Sequence, residues 1–318
     1  KETRRGGHEH TDTHPPPINV PATALPECIV KFNHSLPFIW KDQITITNEI
    51  GRGSFGIVFR GIWSGTEVAI KDIKVRNAKR LKNVVETEVQ VHTIVRHPNI
   101  TQIMAVSIEK NHVYIISEFI DGTNLEELIF GENAKLKKSI LGKTNYIGKQ
   151  VAQAVAYLHN LEPPIVHRDI KPANILVASD SFVTKLCEMG LSKLKSATVH
   201  AVTATGVPGT PHYMAPECII QKKKSDLHSD IWSLSCTLLE LLTQRDCWED
   251  LIEELDSVKE EDDNYEVSCM MAIFQQQKVP KSLEFLDSAM HEMLTDCFKY
   301  EPCERPRAID LVNMFLTP

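Results

Sequence analysis

His167-Arg168-Asp169-Ile170-Lys171-Pro172-Ala173-Asn174 is the stretch on which the fold turns. It sets a base, a cation and a metal ligand within one turn of chain, the grouping that phosphoryl transfer requires. A proton acceptor, neutralising positive charge and a hard oxygen donor must all reach the same few ångströms, and Asp169, Lys171 and Asn174 are close enough in sequence to do so.

Upstream, Gly51-Arg52-Gly53-Ser54-Phe55-Gly56-Ile57-Val58 lies between two β-prone runs. Its glycines read as a hairpin turn that lets backbone N–H groups approach phosphates closely. By itself the stretch is equally a plain glycine-rich hairpin, and it is no dinucleotide fingerprint, because a strand and not a helix follows it. Val68-Ala69-Ile70-Lys71 then carries one ammonium on a strand so apolar that an unpaired cation there is costly. A carboxylate on the adjacent helix is expected to meet it. Glu88 is the favoured partner, and Glu86, two positions away on a different helical face, is the rival.

Around these segments the periodicity changes once. The β-rich runs 44–46, 57–59, 68–70 and 113–116 surround one helical pattern from Arg80 to Val95, which reads as a small sheet with a helix packed on it. After Phe119, Ile147, Val151, Val155 and Leu158 recur at three- and four-residue steps, as the core-facing stripe of a helix does. A strand-rich lobe over about 39–119 and a helical lobe over about 120–318 predict an α+β, bilobal molecule with a cleft at the junction. Residues 1–38, with Gly6-Gly7, Pro15-Pro16-Pro17 and no sustained period, read as a flexible linker or tail. His8, His10 and His14 lie there without a Cys or carboxylate cage at ligand spacing, which fits a solvated polar tail better than a metal cluster.

Composition narrows the function classes. With 318 residues and 42% hydrophobic content the chain can bury a large core. No run approaches the roughly 20 apolar residues of a membrane span; Ile231–Leu242 is broken by Ser233, Ser235, Thr237 and Glu240. The eight cysteines show no CxxC spacing, which suggests reduced thiols and a cytoplasmic protein. A net charge of −7 argues against a nucleic-acid binder. A start at Lys1 and not Met suggests part of a longer chain.

In order and with suitable spacing, the glycine loop, Val-Ala-Ile-Lys, His-Arg-Asp with Asn five residues on, and Ala215-Pro216-Glu217 resemble a eukaryotic protein kinase domain over about Gln43 to Leu316. The resemblance implies that ATP lies under Gly51, Gly53, Ser54 and Gly56, with Lys71 on its α- and β-phosphates and paired to Glu88. Val58, Ala69 and Leu176 would sandwich the adenine, the backbone of Glu118-Phe119-Ile120 would hydrogen-bond it, and Ser117 would limit the space behind it. Asp169 would accept the substrate hydroxyl proton, Lys171 would neutralise the transferring phosphate, and Asn174 would bind Mg²⁺. Glu217 would pair with Arg305, and Asp230 would brace the catalytic loop.

Lys171-Pro172 and Gly209-Thr210-Pro211 are similar to Ser/Thr kinases, with Thr210 touching Asp169 and Lys171 in the assembled site. Gly61-Ile62-Trp63-Ser64-Gly65-Thr66-Glu67 resembles the tyrosine kinase-like group, which includes the RIP, Raf and mixed-lineage kinases. Arg168 would receive a phosphate from Ser196, Thr198, Thr203 or Thr205 and so order the segment. The partners implied are ATP, a protein substrate, and an upstream activator or scaffold.

One motif departs from that pattern. Where the family has Asp-Phe-Gly, this chain has Glu188-Met189-Gly190. Glu188, the expected second Mg²⁺ ligand, is longer than Asp by one bond of about 1.5 Å, whereas Mg²⁺ wants near-octahedral oxygens at about 2.0–2.1 Å. Met189 replaces a Phe that would stack with His92, Ile103 and His167, and specifies one packing less strongly. Two readings stay open: an attenuated Ser/Thr kinase, and a pseudokinase serving as a nucleotide-responsive scaffold. Trp248–Asp263, with nine acidic residues against Lys259, reads as a solvated acidic segment, with docking of a basic partner as the alternative.

Overall fold

Strand alternation builds the first lobe. In Thr66–Lys74, Val68 and Ile70 are fully buried while Ala69 and Lys71 point to the opposite face. The computed structural model describes residues 36–53, 56–75, 94–188, 210–255 and 264–316. They fall within one compact unit, Leu36–Pro318. Outside the described residues lie most of the tail, the helical pattern around Glu86, Glu88 and His92, Ser54 at the glycine turn, Met189, and Ser196, Thr198, Thr203 and Thr205.

The strands are β1 (Ile44–Gly53), β2 (Gly56–Trp63), β3 (Thr66–Lys74), β4 (Ile103–Glu109) and β5 (His112–Glu118). They form one antiparallel sheet in the order β1-β2-β3-β5-β4. Its core is Ile44, Val68, Ile70, Ala105, Tyr114 and Ile116. Strand β4 has no counterpart among the β-rich runs read from the sequence; its centre, Ala105-Val106-Ser107, is wholly buried and so lacks the alternation that marks a half-exposed strand. A smaller sheet joins β6 (Gly122–Asn124), β7 (Ile175–Ala178) and β8 (Thr184–Leu186).

The remainder is helical: α1 (Leu125–Phe130), α2 (Ala134–Ile140), α3 (Thr144–His159), α4 (Pro216–Ile219), α5 (Leu227–Thr243), α6 (Glu249–Ile252), α7 (Tyr265–Gln275), α8 (Ser288–Cys297) and α9 (Ala308–Met314). The expected stripe of α3, Ile147, Val151, Val155 and Leu158, is at most 1% exposed. Helix α5 is buried on nearly every side and begins with a capping box between Asp226 and Ser229. Trp232 on α5 meets Phe274 and Phe298 edge to face, with Trp248 stacked at 6.1 Å. Such aromatic pairs add about 0.5–1.5 kcal/mol each beyond their buried area. None of the helices is long and apolar enough to cross a membrane, among the described residues. Six of the seven described cysteines are buried or half-buried free thiols, and only Cys303 is exposed.

Candidate active site

The two lobes bound a cavity of about 680 Å³, within the range of small-molecule sites. Its roof is Gly51, Gly56 and Val58 from the β1–β2 turn with Ala69 and Lys71 of β3, its rear is Ser117, and Glu118-Phe119-Ile120 forms the connecting edge. Gly56 is required there. A Cβ at that position would stand 2.1 Å from the Asp72 carbonyl oxygen. The floor is Asp169, Lys171, Asn174, Leu176, Cys187 and Glu188.

The floor is held from below by the central helix. Asp230, 1% exposed, accepts from the backbone N–H of His167 at 2.7 Å and of Arg168 at 2.8 Å, with His159 Nε2 at 3.1 Å. These bonds hold Arg168 at φ +73°, a left-handed conformation that side-chain-bearing residues seldom adopt. His167 carries the constraint across to the next strand. Its Nε2 donates to the Cys187 carbonyl at 2.9 Å and its Nδ1 accepts from Asp169 N–H at 3.3 Å. Complete burial pushes the imidazole pKa down, so His167 is a neutral strut with its proton on Nε2.

Above that strut the polar groups converge. Asn174 Nδ2 donates to the Asp169 backbone oxygen at 2.7 Å and to its carboxylate Oδ2 at 2.9 Å. The carboxamide orientation therefore leaves Asn174 Oδ1 as an oxygen donor. Lys171 Nζ donates to Thr210 Oγ1 at 2.7 Å. Lys71 Nζ meets Glu188 Oε2 at 2.5 Å, joining residues 117 positions apart. Glu188 sits at φ +63°, again left-handed, where Asp and Asn are better tolerated than Glu. Glu88, the carboxylate favoured for Lys71, is outside the described residues.

Some of the site was not singled out from sequence. Lys185 Nζ reaches Glu118 Oε1 at 2.8 Å, and the same oxygen accepts from Gln102 N–H at 2.8 Å. This ties the connecting edge to β8, just ahead of Glu188. The signal was local: Thr184 and Leu186 are buried, so Lys185 between them must face the other way. Cys187 also lines the cavity beside Thr101 Oγ1 at 2.8 Å, and burial pushes its thiol up to about 12, which leaves it unreactive at neutral pH.

Behind the floor, Arg305 forks onto Glu217, NH1 to Oε1 at 2.8 Å and NH2 to Oε2 at 2.7 Å. Nε and the second N–H of Nη1 reach the Lys299 and His228 carbonyls, and its guanidinium lies over the Trp232 ring.

Residues 44–316 match the protein kinase domain family. The chain belongs to that family. Its relatives include the serine/threonine-protein kinase CTR1 of Arabidopsis thaliana, 34% identical over 214 residues, 67% of this chain and 25% of CTR1. MAP kinase kinase kinase wis4 of Schizosaccharomyces pombe is 29% identical over 275 residues, 82% of this chain and 18% of its own length. Mitogen-activated protein kinase kinase kinase 15 of Mus musculus is 31% identical over 267 residues, 83% of this chain and 19% of its own. These relatives agree with the Ser/Thr-directed, tyrosine kinase-like features of the sequence. The chain spans no more than about a quarter of their lengths.

Protein kinases use ATP and Mg²⁺. The donors of this kinase domain suit that ion: a carboxylate on Glu188 and a carboxamide oxygen on Asn174, both hard oxygens lining one cavity. Mg²⁺ takes most of its remaining ligands from water and phosphate, so two protein donors suffice.

Proposed function

We propose that this kinase domain is an active, attenuated protein Ser/Thr kinase that transfers the γ-phosphate of ATP to a protein hydroxyl. The observation that carries the reading is the convergence of Lys71, Asp169, Lys171, Asn174 and Glu188 on one cavity, with Thr210 already bonded to Lys171. Val58, Ala69 and Leu176 enclose the adenine, and the backbone at Glu118 and Ile120 reads its edge. The turn from Gly51 through Gly53 and Ser54 to Gly56 covers the phosphates. Lys71 binds the α- and β-phosphates. Asn174 Oδ1 and the Glu188 carboxylate hold Mg²⁺, which when bound neutralises charge on the phosphate oxygens.

The Asp169 carboxylate takes the proton of the Ser or Thr hydroxyl as that oxygen bonds to phosphorus and the bond to the β-phosphate oxygen breaks. Asn174 Nδ2, bonded to Asp169 Oδ2, fixes the orientation of that base. Lys171 balances charge on the moving group. Attenuation has a structural motive: Glu188 must leave its contact with Lys71 to serve a metal, and a ligand displaced by about 1 Å costs on the order of a hundredfold in rate.

Arg168 makes no side-chain ion pair among the described residues. Its cation is thus available to a phosphate on Ser196, Thr198, Thr203 or Thr205, which would raise activity. Residues 1–38 serve as a linker to the domain over 39–318, and the protein acts in the cytoplasm on a protein substrate under an activator or scaffold.

The Lys71–Glu188 pair also favours a second reading, a nucleotide-responsive scaffold whose lysine is occupied by its own carboxylate. Transfer of radiolabelled phosphate to the protein itself or to a generic basic protein separates the two. Transfer by the wild type that Asp169→Asn abolishes supports the kinase; equal background from both supports the scaffold.

A further inference from the structure

The protein carries net charge −7, yet between Asn133 and Leu161 there is no Asp or Glu. That stretch holds Lys135, Lys137, Lys138, Lys143 and Lys149 and no Arg. It folds as α2, a short turn and the whole of α3, with the Lys143 N–H closing the turn on the Ile140 carbonyl. None of the five lysines makes an ion pair among the described residues. Lys143 lies over the Phe182 ring at 5.9 Å. Of α2, Ile140 is fully buried and Leu136 packs on the core, while Ala134, Lys135, Lys138 and Ser139 are exposed.

Large apolar side chains stand among these cations. Leu141 is 59% exposed and Tyr146 48% exposed, and Phe130 at the end of α1 is 37% exposed. The turn projects outward: a Cβ built at Gly142 meets nothing within 4 Å. The turn thus carries an exposed leucine, with an exposed tyrosine in the first turn of α3 and lysines on both flanking helices. It suits a surface that yields to an inserted side chain.

We infer that the α2–α3 turn docks on an anionic phospholipid surface, with Leu141 and Tyr146 entering the headgroup layer and the five lysines meeting lipid phosphates and carboxylates. Two features favour lipid over an acidic polypeptide. Lysine is a compact point charge suited to a diffuse anionic field, whereas paired recognition of carboxylates selects Arg, which is absent here. Exposed apolar groups among the cations add nothing to purely ionic binding but contribute in a bilayer interface. The stems of the lysines can lie along the interface with their ammonium groups at headgroup level. The stretch is thus locally basic in a molecule whose net charge of −7 is otherwise repelled by such a surface.

Flotation of the full chain with vesicles tests this. Phosphatidylserine–phosphatidylcholine vesicles bind the protein, phosphatidylcholine vesicles do not, and binding falls steeply with added salt. Each lysine at such a surface contributes about a fivefold factor, so Lys138→Ala with Lys143→Ala lowers partitioning about 25-fold. Leu141→Ser lowers it about tenfold with no change of charge. Removing two lysines elsewhere, Lys222→Ala with Lys223→Ala, leaves it within about twofold, because these lie outside the docking face. All of these side chains are exposed or half-exposed, and unchanged unfolding midpoints confirm that the variants fold. Absence of binding to phosphatidylserine vesicles overturns the inference. So does binding indifferent to Leu141→Ser, or equal loss from the Lys222–Lys223 pair. Soluble polyglutamate that binds the wild type while the vesicles do not assigns the patch to an acidic polypeptide instead.

Discussion

Two lysine- or arginine-to-glutamate contacts in this molecule look alike in sequence and differ in kind. Arg305–Glu217 is a two-bond fork, with the guanidinium wholly buried, two backbone carbonyls on its other donors and an indole against its face. Lys71–Glu188 is a single short contact at the edge of a cavity, with side chains 14% and 29% exposed. A buried ion held by four hydrogen bonds cannot lose its charged partner without stranding charge, whereas a cation at a cavity edge can exchange partners with water and ligand. The first contact therefore belongs to the frame, and the second to the chemistry. Asp230 is framework by the same test, because its carboxylate is committed to two backbone N–H groups and a histidine.

The largest effect should come from removing the base above that frame. Asp169→Asn keeps the shape of the side chain but not its basicity, and is expected to lower phosphate transfer by about 10²–10⁴-fold in a single-turnover assay. Its unfolding midpoint should stay near that of wild type. Arg305→Ala should do the reverse, lowering stability by about 3–5 kcal/mol in urea denaturation by leaving the Glu217 carboxylate buried alone. If that variant unfolded at the wild-type urea concentration, the distinction between frame and chemistry would fail.

Glu188→Asp sharpens the comparison from the other side. A shorter carboxylate loses the direct reach to Lys71 and suits the left-handed backbone better, so transfer should rise by up to about a hundredfold. A rate that stays at or below the wild-type value would show that the longer side chain is not what limits turnover.

Protonation provides a smaller test within the frame. Burial, with Asp246 nearby, pushes the Glu240 carboxyl up to about 8, although the Tyr213 hydroxyl and the Cys247 N–H both donate to it. From the ordinary carboxylate range up to about pH 8 the folded protein thus holds a proton that the unfolded chain has released. The stability this group contributes is present at the acid end of that window and lost as pH rises through it. Glu240→Gln should flatten that part of the stability–pH profile; an unchanged slope would assign it to another group. Smallest is Ser117→Met at the rear of the cavity. It should weaken ATP-site inhibitors with a bulky group behind the adenine by about tenfold while sparing ATP, and retained affinity would mean that Ser117 does not border that space.

Much of this was legible in the chain, and the rest was hidden for physical reasons. The two-lobed α+β fold followed from a single change of periodicity near Phe119 and from the stripe on α3, because amphipathic spacing is local. Strand β4 escaped because wholly buried residues carry no alternation. The contact between Lys71 and Glu188 escaped for a different reason: it closes across 117 residues, and the local apolar strand around Lys71 indicated that a carboxylate was needed without indicating which one. The link from Lys185 to Glu118 is of the same type. His167 was visible as part of a motif, but its work as a neutral strut between Asp169 and Cys187 depends on burial that no linear pattern reports.

The central claim is that Glu188, despite its length and its contact with Lys71, joins Asn174 in holding Mg²⁺ with ATP. Thermal unfolding of wild type and Glu188→Gln across an ATP titration, with and without Mg²⁺, tests it most directly, because a ligand that binds only the folded state raises the midpoint in proportion to its affinity. The account predicts that Mg²⁺ enlarges the ATP-induced shift in the wild type and that this gain is lost in Glu188→Gln. An ATP shift in the wild type that is the same with and without Mg²⁺ would contradict it.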